Sequence, residues 1–412
     1  MAQIEIRNLT TIFGPHPKQA LKDVEAGMSK QDLLLKSGHT VGIRNVSLTI
    51  EKGEIFVIMG LSGSGKSTLV RHINRLIELT AGQVLIDGVD ALSLDIPALV
   101  KLRREKIAMV LQRFGLMPHR TVIQNTAYGL EVRGVPLAER NARAMEWIER
   151  VGLDGYEDQF PAQLSGGMQQ RVGLARALTA DTEIVLMDEA FSALDPLIRS
   201  QLQDELVDLQ QATGKTIVFI THDLDEALRI GNKIAILKDG ELAQVGTPAD
   251  ILLNPADDYV RAFVRDVNRA RALNVEALMK PPVLRLTTQS LDAALADMAR
   301  AGVAYGYLIA DGKYAGLVSQ DQLSVAAGGG EGTRTLAELA VDGPFVSPEQ
   351  AIEDALPLLL EADTPLPVLD KHGKLRGVVS QNDVGAMLAT RHDEGEAAPE
   401  QKAPAKAGEE VA

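Results

Sequence analysis

Gly60-Leu61-Ser62-Gly63-Ser64-Gly65-Lys66-Ser67, which follows the apolar run Glu54-Ile55-Phe56-Val57-Ile58-Met59, is the stretch whose reading decides the fold. It fits G-x-x-x-x-G-K-[ST] and predicts a strand, a glycine loop and a helix from about Ser67 to Leu76. Backbone N–H groups of Gly60, Ser62, Gly63, Ser64 and Gly65 turn inward around phosphate oxygens, and Lys66 reaches the β- and γ-phosphates. Ser67 offers a hydroxyl to Mg²⁺, Thr68 shares its turn, and the helix aims its positive end at the same phosphates. The competing reading is a glycine turn that binds nothing. A strand before the loop and a helix after it favour the phosphate site.

Upstream, residues 3 to 13 alternate loosely and predict an edge strand that ends at Phe13-Gly14. The Phe13 ring is either a stacking surface for adenine or a core side chain, and the residues alone leave both open. Residues 15 to about 40 form an insertion of short helices, with Ser29-Lys30-Gln31-Asp32 as a capping box and Gly38 as a stop. A strand resumes from Val41 to Ile50, so the loop follows the third or fourth element of a mixed sheet.

Downstream, strands are expected at Val84-Leu85-Ile86 and at Ile107 to Leu111, the latter delivering Gln112 to its carboxyl end. The apolar loop Phe114-Gly115-Leu116-Met117-Pro118 suits a partner surface. A helix is expected from Leu137 to Gly152, with Trp147, Ile148 and Val151 inward. Leu164-Ser165-Gly166-Gly167-Met168 opens another helix and makes a second anion site in the same chain, the alternative being a capped helix without a ligand. Ile184-Val185-Leu186-Met187-Asp188-Glu189 is an apolar strand that ends in two acids pointing in different directions. Asp188 is read as a Mg²⁺ ligand and Glu189 as the group that orients or deprotonates a water. Asp195 follows in Ser192-Ala193-Leu194-Asp195, and the strand Thr216 to Thr221 delivers His222, which suits a hydrogen bond to a γ-phosphate. His72 and His119 are read as structural or exposed.

The remaining composition sets bounds. At 412 residues two or three domains are expected. No run nears the roughly 18 apolar residues of a membrane span, and the first residues show no secretory pattern. With 0 cysteines there is no disulfide framework, which suits a reducing compartment. A formal charge of -14 argues against nonspecific affinity for nucleic acid.

Taken together, these motifs resemble the ATP-binding subunits of ABC transporters across residues 3 to about 265. Gly60 to Ser67 resembles Walker A, Gln112 the Q-loop, Leu164 to Met168 the signature, Ile184 to Glu189 Walker B, Asp195 the D-loop and His222 the switch histidine. Met168 stands where the commonest signature has glutamine. The insertion and the run Leu186 to Arg199 resemble the glycine betaine/proline (quaternary amine) importers. The resemblance implies an α/β P-loop NTPase fold with a helical subdomain, ATP with Mg²⁺, and catalysis by Glu189, His222, Gln112 and Lys66. Metal ligation falls to Ser67, Asp188 and Gln112, and the signature residues Ser165, Gly166 and Gly167 close on a twin's ATP. It further implies a homodimer, a multi-span permease, a periplasmic or extracellular substrate-binding protein, and a peripheral place on the cytoplasmic face of the inner membrane. The competing readings are a soluble ABC ATPase acting on nucleic acid or ribosomes, and an importer of another small solute.

Beyond Val267, residues 268 to 279 are expected to link to an internal repeat. Tyr314 to Leu323 matches Leu375 to Val384, and each copy predicts helix, strand, turn and strand around a shared core. The pair, residues 280–327 and 328–392, resembles a tandem CBS module of α+β class. In that family an adenine nucleotide or cyclic dinucleotide is a possible ligand, and Asp383 matches a ribose-holding aspartate where the first copy has Gln322. Gly328-Gly329-Gly330 is read as a flexible link. Residues 280–392 hold 9 Lys/Arg against 14 Asp/Glu, which disfavours a basic lipid-binding patch, and residues 393–412 are expected to be disordered.

Overall fold

The computed structural model describes residues 2–112, 115–287, 290–328 and 335–389. Phe114, the Gly329-Gly330 part of the expected link and the tail from 393 lie outside the described residues. The chain divides into two units, Met1–Val267 and Asn268–Ala412.

The first unit begins with β1 (Ala2–Phe13), α1 (Pro17–Glu25), α2 (Lys30–Ser37), β2 (Thr40–Glu51), β3 (Ile55–Met59) and α3 (Lys66–Ile73). Next come β4 (Ala81–Ile86), β5 (Val89–Asp90), α4 (Ile96–Glu105), β6 (Ile107–Val110), α5 (Val122–Thr126), α6 (Tyr128–Val132), α7 (Leu137–Arg150) and α8 (Gly166–Thr179). Then follow β7 (Ile184–Asp188), α9 (Pro196–Thr213), β8 (Thr216–Thr221), α10 (Leu224–Ile230), β9 (Lys233–Lys238) and β10 (Glu241–Gly246).

Two sheets result. One is antiparallel in the order β2-β1-β4-β5, and the other has the order β10-β9-β3-β8-β7-β6. The second is parallel except where β10 meets β9. Every residue of β3, β7 and β8 is buried, as strands covered on both faces require.

The expected edge strand is corrected here, because β1 is interior. Ile4 pairs with Ile50 of β2 on one side and with Ile86 of β4 on the other. β4 lies some seventy residues downstream, and no local pattern announces that pairing. The phosphate loop does follow the third strand of the chain, but its sheet contains neither β1 nor β2.

Between the sheets α3 buries Leu69, Val70 and Ile73 in one core with Ile4 and Ile6 of β1 and Phe56 and Ile58 of β3. That packing seats the helix which carries Lys66 and Ser67. It ends at Ile73, short of Leu76, because Arg75 takes a left-handed φ of 53°. In the insertion, Ser29 caps α2 by accepting from the Asp32 N–H, and Gly38 ends it at φ 68°. α5, α7 and α8 pack together, with Ala144, Ile148 and Val172 inward and Trp147 half-buried.

In the second unit the repeat is present. Its first copy has the helix Leu291–Ala301 and a sheet of Arg285–Leu286, Tyr305–Ala310 and Lys313–Ser319. Its second copy has the helix Ile352–Glu361 and the strands Leu366–Leu369 and Leu375–Val379. The copies share a core of Tyr307, Leu369, Leu375 and Val378, and the Tyr307 hydroxyl donates to the Pro365 carbonyl at 2.7 Å.

The expected linker is a second correction, because residues 268–279 are built into this unit. Ala270, Leu273 and Val275 are buried, and the Val275 N–H donates to the Gln350 carbonyl at 2.9 Å. The Ile352 N–H donates to the Leu273 carbonyl at 3.0 Å. Apolar side chains need a partner surface, and here the second copy supplies one.

Candidate nucleotide site

The loop after β3 is shaped by glycines with no room for a side chain. A Cβ on Gly60 would stand 2.2 Å from the Leu237 carbonyl oxygen, and one on Gly65 would stand 2.6 Å from Ile43 Cδ1. Their φ values of 147° and 103° also favour glycine. Lys66 is buried, and its ammonium donates to the carbonyls of Gly60 at 2.7 Å and Leu61 at 3.1 Å. Burial pushes its pKa down, while Glu189 and Asp188 push it back up. Ser64 Oγ is buried with no hydrogen-bond partner among the described residues. Ser62 and Gly63 are exposed, and Thr68 is half-buried.

Ser67 and Asp188 meet. The hydroxyl donates to Asp188 Oδ1 at 2.8 Å, and Arg71, one turn along α3, places Nη2 3.4 Å from Oδ2. Asp188 is 0% exposed, so burial raises its pKa against the opposing pull of Ser67 and Arg71. A buried carboxylate beside a hydroxyl suits Mg²⁺, which takes one or two carboxylates together with substrate phosphates. Among the described residues no three His, Cys, Asp or Glu side chains are grouped so as to hold a metal ion by themselves.

Glu189 leaves β7 differently from Asp188. Its φ of 52° lies in the left-handed region, which costs a residue with a side chain about 1–2 kcal/mol. The turn sends the carboxylate away from the core toward Gln112 and His222. Gln112 Nε2 donates to Glu189 Oε2 at 2.9 Å, and His222 Nδ1 lies 3.3 Å from Oε1. β6, β7 and β8 are neighbours in the sheet, and their carboxyl ends therefore bring the three side chains together.

Behind His222 sits a network that motif reading missed. Thr221 Oγ1 donates to Glu226 Oε2 at 2.6 Å, and Gln203 Nε2 donates to Glu226 Oε1 at 3.1 Å. Burial raises the Glu226 pKa, with Thr221 the main opposing influence. Arg71 was missed too, although its place four residues after Ser67 on one helix was a usable signal.

Other expected residues stand apart from this cluster. Ser165 and Gly166 are exposed and Gly167 is half-exposed, while Ser165 Oγ accepts the Met168 N–H at 3.3 Å as a helix cap. Asp195 caps α9 by accepting the Ile198 N–H at 3.1 Å. Phe13 is 42% exposed, which removes the core reading, and its ring lies over Gly42, where a Cβ would be 2.5 Å away. In the second unit Asp383 Oδ2 accepts from the Ser380 N–H at 2.9 Å, and Oδ1 pairs with Lys280. Burial pushes Asp383 up, but Lys280 and Ser380 outweigh it and hold the group below the usual carboxylate range. Gln322 caps Ser319 in the first copy just as Asp383 caps Ser380, with Oε1 accepting the Ser319 N–H at 3.0 Å. His72 is buried and hydrogen-bonded, and His119 is exposed.

A glycine loop with a buried lysine, a serine-aspartate pair, and a Gln-Glu-His group on adjacent strand ends define an ATPase cassette of the ABC transporter class. The ABC transporter family matches residues 43–192 and the CBS domain family residues 337–386. A dimeric structure of a bacterial ABC transporter cassette is 35% identical, covers 59% of this chain and 98% of its own, and superposes with a TM-score of 0.52. A post-hydrolysis dimer bound to ADP and Pi is 34% identical with the same TM-score of 0.52. The glycine betaine/proline betaine transport system ATP-binding protein ProV of Salmonella typhimurium is 48% identical over 92% of this chain and 96% of its own. The glycine betaine transport ATP-binding protein OpuAA of Bacillus subtilis is 45% identical over 95% of this chain and 93% of its own. The chain belongs to this family of glycine betaine transport ATP-binding proteins, subunits that hydrolyse ATP to power import.

Proposed function

We propose that this chain powers import of glycine betaine, proline betaine or a related quaternary amine through a multi-span permease supplied by a substrate-binding protein. It works at the cytoplasmic face of the membrane. Support for the substrate comes from relatives named for glycine betaine transport, matched over nearly their whole length. No helix among the described residues is long and apolar enough to cross a membrane.

In this reading two copies pair head to tail. Ser165 and Gly166 are exposed and Gly167 half-exposed at a helix start, which suits closure on ATP held by a twin. Phe13 stacks on adenine, Lys66 turns from its loop carbonyls to the phosphates, and Asp195 lies at the junction of the two copies. Ser67 and Asp188, joined by Gln112, would hold Mg²⁺, whose charge neutralises the β- and γ-phosphates when it is bound. Glu189 orients the attacking water and takes its proton, and His222 donates to the γ-phosphate. One observation carries the assignment. Gln112 and His222 converge on the Glu189 carboxylate from strand ends on either side of its own.

The CBS repeats regulate this cycle, and an adenine nucleotide or cyclic dinucleotide is their proposed ligand. Asp383 is engaged by Lys280 and Ser380, so a ribose there displaces Lys280. The test is reconstitution of the chain in vesicles with the permease that co-purifies with it from membranes. ATP-driven uptake of radiolabelled glycine betaine supports the reading. Uptake of an unrelated solute, with none of any betaine, overturns it.

A further inference from the structure

Behind the residues that face the nucleotide, the bend from Glu189 to Leu194 is gripped from one side by the first turns of α8. Gln170 is 2% exposed. Its Nε2 donates to the Glu189 carbonyl at 2.9 Å, and its Oε1 accepts the Ala193 N–H at 2.9 Å. A backbone carbonyl needs a donor and a backbone N–H needs an acceptor, so a primary amide satisfies both at once. Neither a carboxylate nor a thioether does so.

A second contact joins the same two segments. A Cβ on Gly167 would stand 3.2 Å from the Ala193 carbonyl oxygen, so the opening turn of α8 lies directly on the bend. The bend itself holds Glu189 at a φ of 52°. A sparsely populated backbone conformation persists only where its surroundings over-determine it. Gln170 bonds to the carbonyl of that very residue, and Ser192 Oγ adds a bond to the same oxygen at 3.0 Å.

We propose that Gln170 is a positioning residue for ATP hydrolysis: it fixes the backbone that aims the Glu189 carboxylate and ties that aim to the helix start bearing Ser165. The inference rests on Glu189 being the group that orients water. Ser165 caps α8 five residues before Gln170, so a shift of this turn against a twin's nucleotide reaches Glu189 through one helical turn and one side chain. The second bond, to Ala193, carries the same shift toward Asp195. Two nucleotide sites in a pair of chains are thereby linked inside each chain, through contiguous contacts.

Steady-state hydrolysis by the full chain carrying Gln170→Met, Gln170→Glu or Glu189→Gln tests this. Met removes both bonds at similar length, whereas Glu keeps the acceptor for Ala193 and loses the donor to Glu189. Both Gln170 variants are expected to lose roughly 10- to 100-fold in kcat, as small displacements of a reacting group do. KM for ATP stays within about 2-fold, since no group that binds nucleotide is removed. Dimers that retain ATP accumulate on gel filtration, as in Glu189→Gln. A role confined to folding would lower the melting temperature and leave kcat per folded molecule unchanged. Full kcat in both folded Gln170 variants beside an inactive Glu189→Gln overturns this inference alone. Full activity in Glu189→Gln overturns the assignment beneath it as well. Should the methionine variant fail to fold, the glutamate variant, of nearly equal volume, decides.

Discussion

Gln112 and Glu189, 77 positions apart in the chain, touch through a hydrogen bond of 2.9 Å from the amide to the carboxylate. The other carboxylate oxygen faces His222 at 3.3 Å, and the group is partly open to solvent. An acid held between an amide N–H and an imidazole nitrogen at a strand end, next to a buried lysine, suits the handling of a water molecule. Glu189→Gln keeps the shape and removes the base. Phosphate release should fall at least about 100-fold, while light scattering shows an ATP-bound dimer that persists. Turnover near wild type would remove Glu189 from the mechanism.

Gln112 also leads into the loop that continues through Gly115, Leu116 and Met117. In the proposed mechanism its side chain reports the state of Glu189 to a segment outside the sheet. Gln112→Ala should leave the KM for ATP within about 3-fold and uncouple hydrolysis from uptake in permease vesicles. An unaltered ratio of solute moved to ATP split would show that coupling runs elsewhere.

Phe13 is 42% exposed and its ring lies over Gly42. Stacking a base on an aromatic ring contributes roughly 1–3 kcal/mol. Phe13→Ala should therefore raise the KM for ATP about 10-fold with kcat unchanged, and a tryptophan there should restore it. No change in KM would mean that adenine is held by other groups.

His72 links α3 to β1 out of contact with solvent. Its Nδ1 donates to the Ile77 carbonyl at 2.9 Å, and its Nε2 accepts from the Thr11 hydroxyl at 2.7 Å. Burial lowers its pKa below the ordinary 6.5, partly offset by the Ile77 bond and Glu78. As pH falls past 6.5, the unfolded chain takes up a proton that the folded chain resists, so stability is lost on the acid side. Urea titrations at about pH 7.5 and about pH 5.5 should show a larger loss for wild type than for His72→Gln. Trp147, the single tryptophan and a residue of the first unit, reports this transition by fluorescence. Equal losses in the two proteins would contradict the sign.

Much of the site was legible because phosphate chemistry imposes short local patterns. A glycine loop between a strand and a helix, acids at the end of an apolar strand, and a serine before a helix each act through neighbours in the chain. The capping of α2 by Ser29 and Gly38 and the repeat of strand, turn and strand were readable for the same reason. Residues 268–279 were misread as a linker, since Leu273 and Val275 show their worth only against Gln350 and Ile352.

By itself, then, the sequence determined the loop at Gly60 to Ser67, the order of the strand-end residues and the existence of two units, all written in contiguous residues with fixed backbone or charge requirements. Only the tertiary structure decided that β1 is interior, that Arg71 attends Asp188, that Gln112 and His222 share one carboxylate, and that Gln170 grips the bend beneath it. Those relationships join residues far apart in the chain. They exist because parallel strands set side by side bring their carboxyl ends into one row, a juxtaposition created by packing and invisible to any local window.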